Sequence, residues 1–373
     1  MPSLRSGWGL TATCILTCSF LPITRAAAGC EIQLRLIGLH SIASDTRVGG
    51  DAFGGISGLD YDSHSQLWYM VSDDRTNGSA ARFFTASLTF DPMHVAAVVL
   101  RDSRHFHADD NLGDRVGVDA ESIRFNRWRG ELVVAGEGDD ARKIGAWLSR
   151  FNLDGHWLGD IPLPRQLDAS APGDPRGPRP NKSFEGVTPA PAASGLEWWL
   201  SLEAPLFEDG PMPDPQRGSD VRIARVRLDG NTRPQYVYHT EPTRGERSDN
   251  GVSEILATGD ETLLVLERSG TAQPDGHYRF HTRLYCADFS KATDVSSFNS
   301  LAGGTYRTAR KSLVLDFDLL PGVTTDNLEG MSWGPRLENG RASLVFVTDN
   351  NLFPDVATQL VFFEVRSGHE LKK

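Results

Sequence analysis

The sequence has little cysteine and no excess of basic residues. Four cysteines stand among 373 residues, and the formal net charge is −11 with a pI near 5.4. A nucleic-acid or anionic-membrane partner needs a basic face that displaces counterions, so this composition argues against both. An acidic chain more naturally gathers cations.

Several catalytic motifs are also missing. The chain contains no G-x-S-x-G nucleophile elbow, no H-E-x-x-H zinc motif and no P-loop. Their absence disfavours an α/β-hydrolase, a zincin and a nucleotidase built on a Walker motif. No long stretch shows helical periodicity either, which favours an all-β fold.

The first residues are typical of an export signal. Arg5 precedes an apolar run over residues 8–23, and three alanines follow at 26–28 as in a cleavage site. We predict a signal peptide over 1–28, one domain over 29–373 and a periplasmic or secreted protein. The alternative, a membrane anchor, is disfavoured because the run is short and interrupted, so the mature chain is expected to lack a transmembrane segment.

Removal of the signal leaves two cysteines, Cys30 and Cys286. In an oxidising compartment these two residues could form one disulfide between the N-terminus and a distant strand. The competing interpretation is a lipoprotein in which Cys30 is acylated, although Ala27 stands where such signals usually carry leucine.

One sequence unit recurs five times, over residues 53–75, 117–140, 181–206, 249–270 and 325–351. Each copy has an apolar segment around an anchor residue, a turn, an apolar strand ending in a second acid, and a third strand. The anchors follow one another at intervals of 64, 64, 69 and 75 residues: Ser57, Glu121, Glu185, Glu254 and Glu329. The second acids are Asp73, Glu137, Glu203, Glu267 and Asp349.

A meander of three or four strands cannot bury both of its faces alone, so the repeats predict a β-propeller. Five blades are favoured, although a divergent sixth could lie within 85–118 or 286–324. The N-terminal segment "CEIQLRLIGL" is expected to close the ring by pairing into the last blade. The Pro/Gly-rich segments 163–183 and 204–220 are predicted to be surface loops.

The first strand of a propeller blade lines the central channel, so a residue recurring there forms a ring. Converging carboxylates repel one another unless a cation neutralises them. Oxygen ligands without His or Cys suit Ca²⁺, and Mg²⁺ less well. The predicted metal ligands are Glu121, Glu185, Glu254 and Glu329, and further oxygens are offered by Asn181, Asn250, Asn327, Asn350 and Asn351.

The repeated acids also have a structural interpretation. They could accept hydrogen bonds from turn amides, or pair with a repeated arginine such as Arg82, Arg222 or Arg283 at the start of the third strand. The polar segment containing His105, His107, Asp109 and Asp110 is a weaker metal candidate, because such alternation is typical of a solvated edge.

Four cations lie near the acids and are predicted to bind an anionic substrate: Arg75, Arg124, Lys182 and Arg268. An arginine offers a bidentate fork to a phosphate or carboxylate. The alternative is that these residues form surface or inter-blade salt bridges.

The motifs "SDDR", "FEG", "LER" and "NLEGM … DNN" occur in an order that resembles the phytase-like family of exported bacterial proteins, over residues 34–366. The resemblance implies a propeller and hydrolysis of phosphate or carboxylic esters. Ser57 departs from the glutamates of the other copies, which opens one side of the ring.

We therefore expect a monomeric, exported ester or phosphoester hydrolase, esterase-like or phosphatase-like, with a small-molecule substrate. Ca²⁺ would polarise the ester oxygen, and Glu185 and Glu137 are the predicted catalytic residues. The alternatives are a lactonase-like hydrolase on the same metal and a non-enzymatic envelope scaffold.

Overall fold

The computed structural model describes residues 32–74, 81–107, 119–168, 176–231, 233–274 and 276–367. Apart from the short 3-10 turns Pro191–Ala193 and Phe317–Leu319, its regular structure is all β. In chain order the strands are β1 (Ile32–Ile42), β2 (Arg47–Val48), β3 (Asp51–Ala52), β4 (Ile56–Asp62), β5 (Leu67–Ser72), β6 (Arg82–Phe90), β7 (Val95–His105), β8 (Ala120–Asn126), β9 (Glu131–Gly136), β10 (Trp147–Phe151), β11 (Trp157–Asp160), β12 (Phe184–Pro189), β13 (Glu197–Leu202), β14 (Asp220–Arg227), β15 (Gln235–His239), β16 (Gly251–Gly259), β17 (Thr262–Ala272), β18 (Tyr278–Asp288), β19 (Arg310–Asp316), β20 (Asn327–Trp333), β21 (Ser343–Asp349) and β22 (Thr358–Ser367).

Five four-stranded antiparallel sheets form the blades of a β-propeller. Blades 1 to 4 contain β4–β7, β8–β11, β12–β15 and β16–β19, and blade 5 contains β20–β22 with β1 as its outermost strand. The five sequence repeats are thus five blades, as predicted. The described parts of 85–118 and 286–324 contribute outer strands to blades 1 and 4 and form no sixth blade.

The N-terminal strand closes the ring, also as predicted. Strand β1 pairs antiparallel with β22 along its whole length, from Ile32 opposite Ser367 to Ile42 opposite Thr358. Arg35 on β1 lies opposite Glu364 on β22, and their side chains form an ion pair at 2.6 Å. The ring therefore closes through both backbone pairing and a charged contact.

Each sheet is covered on both faces because it packs between two neighbouring blades. In β13 the adjacent residues Trp198 and Trp199 point to opposite faces, and both are fully buried. This explains why second strands such as "ELVVAG" and "EWWLSL" read as continuous apolar runs instead of alternating with polar residues. Strands β4, β8, β12, β16 and β20 form the inner edges and contact one another around the axis.

Every inner strand carries a β-bulge at the same position. The register between the first and second strands of each blade shifts across one extra residue: Ser57, Glu121, Glu185, Ser253 and Glu329. We call this the bulge position. A bulge turns the strand locally and redirects a side chain, and it commonly occurs beside functional sites.

The residue after the bulge faces the inner strand of a neighbouring blade at close range. A Cβ on Gly186 would stand 2.7 Å from the amide nitrogen of Ile255, and one on Gly58 would stand 2.9 Å from the carbonyl oxygen of Glu121. Small residues at this position therefore allow the inner strands to approach the axis. Blade 4 differs, because Glu254 occupies the equivalent position.

The two Pro/Gly-rich segments are connections between strands, and their described parts include buried residues such as Leu167, Leu206 and Asp209. Segment 163–183 joins blades 2 and 3, and 204–220 joins β13 to β14 within blade 3. A buried ion pair between Arg222 and Asp209 at 2.6 Å attaches the second loop to its blade. In the described ranges, no helix has the length and apolar character needed to cross a membrane.

Candidate functional site

The candidate site lies at the end of the channel where the inner strands begin. Two positions of each blade contribute side chains there. The first is the bulge position. The inner-strand residue just before the bulge pairs with a residue of the second strand, and the next residue along that second strand is the second position. We call the latter the flank position, and it is occupied by Asp73, Glu137, Glu203, Arg268 and Asp349. Acids therefore predominate at both positions.

The structure corrects the predicted register of blade 4. Val252 pairs with Glu267, so the bulge residue is Ser253 and the flank residue is Arg268. The predicted ring members Glu254 and Glu267 each lie one residue away from the ring positions. The bulge position therefore carries three glutamates, Glu121, Glu185 and Glu329, and not the four that the sequence predicted.

Glu254 instead pairs with Arg124 across the axis. The two side chains meet at 2.6 Å and are 0% and 1% exposed, respectively. Arg124 of blade 2 also donates to the carbonyl oxygens of Leu59 in blade 1, at 2.8 Å, and of Ile255 in blade 4, at 3.2 Å. The pair thus joins blades 1, 2 and 4 across the axis at this level. Arg124 is consequently buried away from any substrate, contrary to its predicted role.

Glu267 is held in a separate network between blades 3 and 4. It accepts hydrogen bonds from the hydroxyl of Tyr238 at 2.6 Å and from Asn250 at 3.0 Å, and Lys311 lies 2.7 Å away. This member of the predicted second acidic ring is therefore structural. The other four members, Asp73, Glu137, Glu203 and Asp349, do occupy the flank position.

Two groups of carboxylates form the centre of the site. Asp73, Asp119 and Glu121 bring one oxygen each within 4.8 Å of one another, and Glu137, Glu185 and Glu203 do the same. Burial raises the pKa of Glu121 well above its usual range, and repulsion from Asp119 and Glu185 adds to the shift. Burial likewise raises the pKa of Glu185 and Glu137, and Glu203 repels both.

Two cations border the second group. Lys182 lies 2.8 Å from Glu203 and 3.0 Å from Asp249, and Arg268 lies 3.1 Å from Glu203. Burial lowers the pKa of Lys182, but Glu203 and Asp249 outweigh that effect and hold it above its ordinary value. The predicted substrate-binding residues Lys182 and Arg268 are therefore both in the site, although each is already balanced by carboxylates.

Blade 5 supplies the wall beside Arg268. The guanidinium contacts Glu329 and donates to Oδ1 of Asn327 at 2.9 Å, while Nδ2 of Asn327 donates to Glu329 at 2.8 Å. Asp349 accepts from the amide of Asn351 at 2.7 Å, and burial with repulsion from Glu329 raises its pKa to about 8. Glu329 thus belongs to the site but is occupied by protein donors.

Glu121 and Glu185 are the acids without such donors. They are 6% and 5% exposed, and in the described part of the chain no group donates a hydrogen bond to either carboxylate. Glu137, by contrast, accepts from the amide of Ser183. A buried carboxylate without a donor is costly unless a cation replaces the lost water. Each group therefore has the oxygen donors and the charge that a hard cation such as Ca²⁺ requires.

Two residues beside these acids have left-handed backbone conformations. Asp119 has φ 55° and Asn181, which precedes Lys182, has φ 53°. Asp and Asn tolerate this left-handed region better than other non-glycine residues, so the chain can turn sharply at both positions. The conformation of Asp119 brings its carboxylate into the group that contains Glu121.

Several other predicted residues lie either away from the acids or outside the part of the chain that the structure describes. Arg75, Asp109, Asp110 and Cys30 are outside the described residues. His105 pairs with Asp51 at 3.0 Å, and the ring of His107 packs at a tilt against that of His156, so neither joins the acids. Cys286 is disulfide-bonded, which agrees with the prediction for this residue, while the identity of Cys30 as its partner stays a prediction.

The alternative interpretation is that the repeated acids pair with arginines of the third strands. The arginines of the third strands instead pair with other acids: Arg82 with Asp74 at 2.7 Å, Arg222 with Asp209, and Arg283 with Asp316 at 2.9 Å. Of the asparagines proposed as ligands, Asn327 lies in the site, whereas Asn250 and Asn350 donate to backbone carbonyls of Glu241 and Val356.

The sequence prediction missed Asp119 and Asp249. It also missed that Arg268 replaces an acid at the flank position of blade 4. Asp119 stands two residues before the bulge, a position also held by Asn327. The signal for the register of blade 4 was present: apolar residues three apart bracket every bulge, as in Phe184 and Val187 or Val252 and Ile255. Aligning on these residues, and not on the acids, gives the correct ring.

A comparison with protein-family models matches residues 51–352 to the phytase-like model, described as "esterase-like activity of phytase". The chain belongs to the phytase-like family. This match spans all five blades except the outer strands of blade 5, which confirms the resemblance. A search of curated protein sequences found no match.

Solved structures with similar shapes include glycoside hydrolases. The catalytic domain of a GH62 α-L-arabinofuranosidase from Coprinopsis cinerea is 9% identical, with a TM-score of 0.39, covering 90% of this chain and 97% of the other. A thermostable family-43 glycoside hydrolase is 9% identical, with a TM-score of 0.42, covering 87% and 94%. An exo-β-1,3-galactanase from Phanerochaete chrysosporium is 11% identical, with a TM-score of 0.41, covering 89% and 64%. These similarities are too distant to carry an argument about activity.

Proposed function

We propose that the protein is an exported, calcium-dependent hydrolase of phosphate or carboxylic esters that acts at the acidic end of the channel. The observation that carries the proposal is the pair of buried bulge glutamates, Glu121 and Glu185, each grouped with two further carboxylates and neither given a donor by the described residues. Membership of the phytase-like family and the disulfide at Cys286, which suits an oxidising compartment, support it.

The donor set matches a hard divalent cation. Asp73, Asp119 and Glu121 offer one group of oxygens, and Glu137, Glu185 and Glu203 offer the other, without a histidine or cysteine in either. Ca²⁺ tolerates irregular geometry better than Mg²⁺, which demands a near-ideal octahedron. When bound, such an ion polarises an ester oxygen and lowers the pKa of a bound water.

The residues of the chain have separable roles in this scheme. Glu137 is oriented by the amide of Ser183, and its raised pKa brings it closer to the range of a general base. Lys182 and Arg268 border the groups and would hold the anionic part of the substrate. Glu185 is proposed to assist Glu137 or to ligate the ion.

Metal analysis combined with a substrate panel tests the proposal. Purified protein should contain Ca²⁺, and it should hydrolyse an aryl phosphate or an aryl carboxylic ester, lose that activity with a chelator and regain it on adding Ca²⁺. Glu121→Gln should lose metal and activity together, whereas the exposed control Glu338→Gln should retain both.

Two outcomes would contradict the proposal. If chelation changes neither the melting temperature nor the hydrolysis of any ester, the acids hold no functional ion and the scaffold interpretation gains support. If lactones are turned over while phosphate and carboxylic esters are not, the protein is a lactonase-like enzyme.

A further inference from the structure

A cleft opens beside the acidic site, between blades 4 and 5. It has a volume of about 550 Å³, within the range of pockets that bind small molecules. One wall is the extended hairpin of β17 and β18, with Tyr278 and Phe280, and the other is the segment that leads into β20, with Thr324, Thr325 and Asp326.

The hairpin wall presents aromatic rings on one face. Tyr278 and Phe280 stack with centroids 6.0 Å apart and planes 25° apart, and Tyr278 remains 54% exposed. Their cross-strand partners on β17 are Ala272 and Gly270, which leave this face open. A Cβ on Gly270 would stand 3.3 Å from Phe280 and 3.5 Å from Tyr278, so the rings extend across the glycine.

The same face leads directly to the proposed catalytic end. Arg268 lies two residues before Gly270 on β17, and its guanidinium carbon is 5.8 Å from the centroid of Phe280. On the opposite wall, Asp326 precedes Asn327, which accepts from Arg268. Both walls of the cleft therefore converge on Arg268, the flank residue of blade 4.

The second wall is polar. One oxygen of Asp326 accepts from the amide of Asn327 at 3.0 Å, and the hydroxyl-bearing residues Thr324 and Thr325 line the same side. A purely apolar ligand would remove water from these groups without replacing its hydrogen bonds, which is unfavourable. A ring with an apolar face and hydroxyls at its edge satisfies both walls.

We propose that this cleft binds a neutral, hydroxylated ring, and that the substrate is a sugar or similar polyol carrying a single ester or phosphoester. The ring packs on Tyr278 and Phe280, its hydroxyls bond to Asp326, and the ester lies at Arg268. The cleft itself carries two carboxylates, Asp318 and Asp326, against one cation, Arg279, so a ring bearing many phosphates would meet net negative charge there. This inference rests on the proposed function.

Calorimetry with non-hydrolysable phosphonates tests the inference without relying on turnover. Calcium-loaded protein is titrated with methylphosphonate, phenylphosphonate and the phosphonate analogue of glucose 6-phosphate. The sugar phosphonate should bind about ten-fold tighter than methylphosphonate, as expected for one ring contact plus hydrogen bonds. Tyr278→Ala and Asp326→Ala should each reduce this difference, and Leu313→Ala, equally exposed at 54% on β19, should preserve it.

Each alternative outcome overturns the inference in a distinguishable way. Equal binding of the sugar phosphonate and methylphosphonate would remove the ring subsite but leave the proposed hydrolase intact. Tightest binding of phenylphosphonate, dependent on Tyr278, would replace the hydroxylated ring by an aryl group. Failure of all three phosphonates to bind would refute the proposed ester site together with the inference.

Discussion

The corrected register of blade 4 predicts opposite behaviour for two glutamates that the repeat pattern treats as equivalent. Glu185 occupies a bulge position within a group of carboxylates, whereas Glu254 is buried against Arg124. Replacing each by glutamine keeps the shape of the side chain and removes its charge. We expect Glu185→Gln to weaken calcium binding and Glu254→Gln to weaken the fold.

The magnitudes follow from the contacts. Two unit charges 4 Å apart attract by about 1 kcal/mol in water and more in a protein, so a divalent ion loses at least about 2 kcal/mol when one ligand becomes neutral. That loss is roughly a 30-fold increase in Kd. In the metal-free protein, Glu185→Gln removes repulsion from Glu137 and Glu203 and should increase the free energy of unfolding.

Glu254→Gln has the reverse profile. It leaves the guanidinium of Arg124 buried without a balancing charge, and breaking a buried pair from one side costs about 3–5 kcal/mol of stability. The calcium affinity should remain that of the wild type, because Glu254 is not at a ring position.

Two measurements on each variant are sufficient: calcium affinity by calorimetry, and the free energy of unfolding by urea titration in a chelator. The interpretation of the register is refuted if Glu254→Gln weakens calcium binding as much as Glu185→Gln does. It is also refuted if Glu185→Gln destabilises the metal-free protein.

Three further predictions concern the scaffold. Hydrogen bonds from Arg35 and neighbouring arginines hold the pKa of Glu364 below its ordinary 4.5, so their stabilisation is present above that pH and is lost as the pH falls below it. Glu364→Gln should therefore lower the unfolding free energy at pH 7 by about 1–3 kcal/mol, with the difference closing in acid. Gly186→Ala should destabilise the protein, because its Cβ would stand 2.7 Å from the amide nitrogen of Ile255. A lower melting temperature of this variant checks the prediction. Cys286→Ser should lower the melting temperature, and a reductant should lower that of the wild type to the same value without affecting the variant.

The architecture could be predicted because the chain repeats. Each copy has one charged or small anchor between apolar residues and a second strand buried on both faces, and five copies require five stacked sheets. The closing strand was predictable for a related reason. An apolar strand that precedes the first repeat has no partner within its own copy, and the last blade lacks an outer strand.

The repeat pattern predicted which types of residue form the site, but it did not give the correct position of each one. A β-bulge interrupts the alternation of side chains, so the face on which an acid lies cannot be read by counting in steps of two. In blade 4, Glu254 and Glu267 each stand one residue away from the bulge and flank positions. An alignment of the repeats on their acids therefore selects these two residues. The replacement of an acid by Arg268 follows from the same shift, which the pairing of Val252 with Glu267 shows directly.

The ion pair between Arg124 and Glu254 affects how a small molecule can reach the acidic groups. Because it spans the axis between blades 1, 2 and 4, it obstructs the channel on that side of the acidic groups. If the protein is the hydrolase proposed above, substrate and product share one mouth, and a product that keeps its anionic group competes with the next substrate for the same residues. For that enzyme we expect release of product to be the slow step.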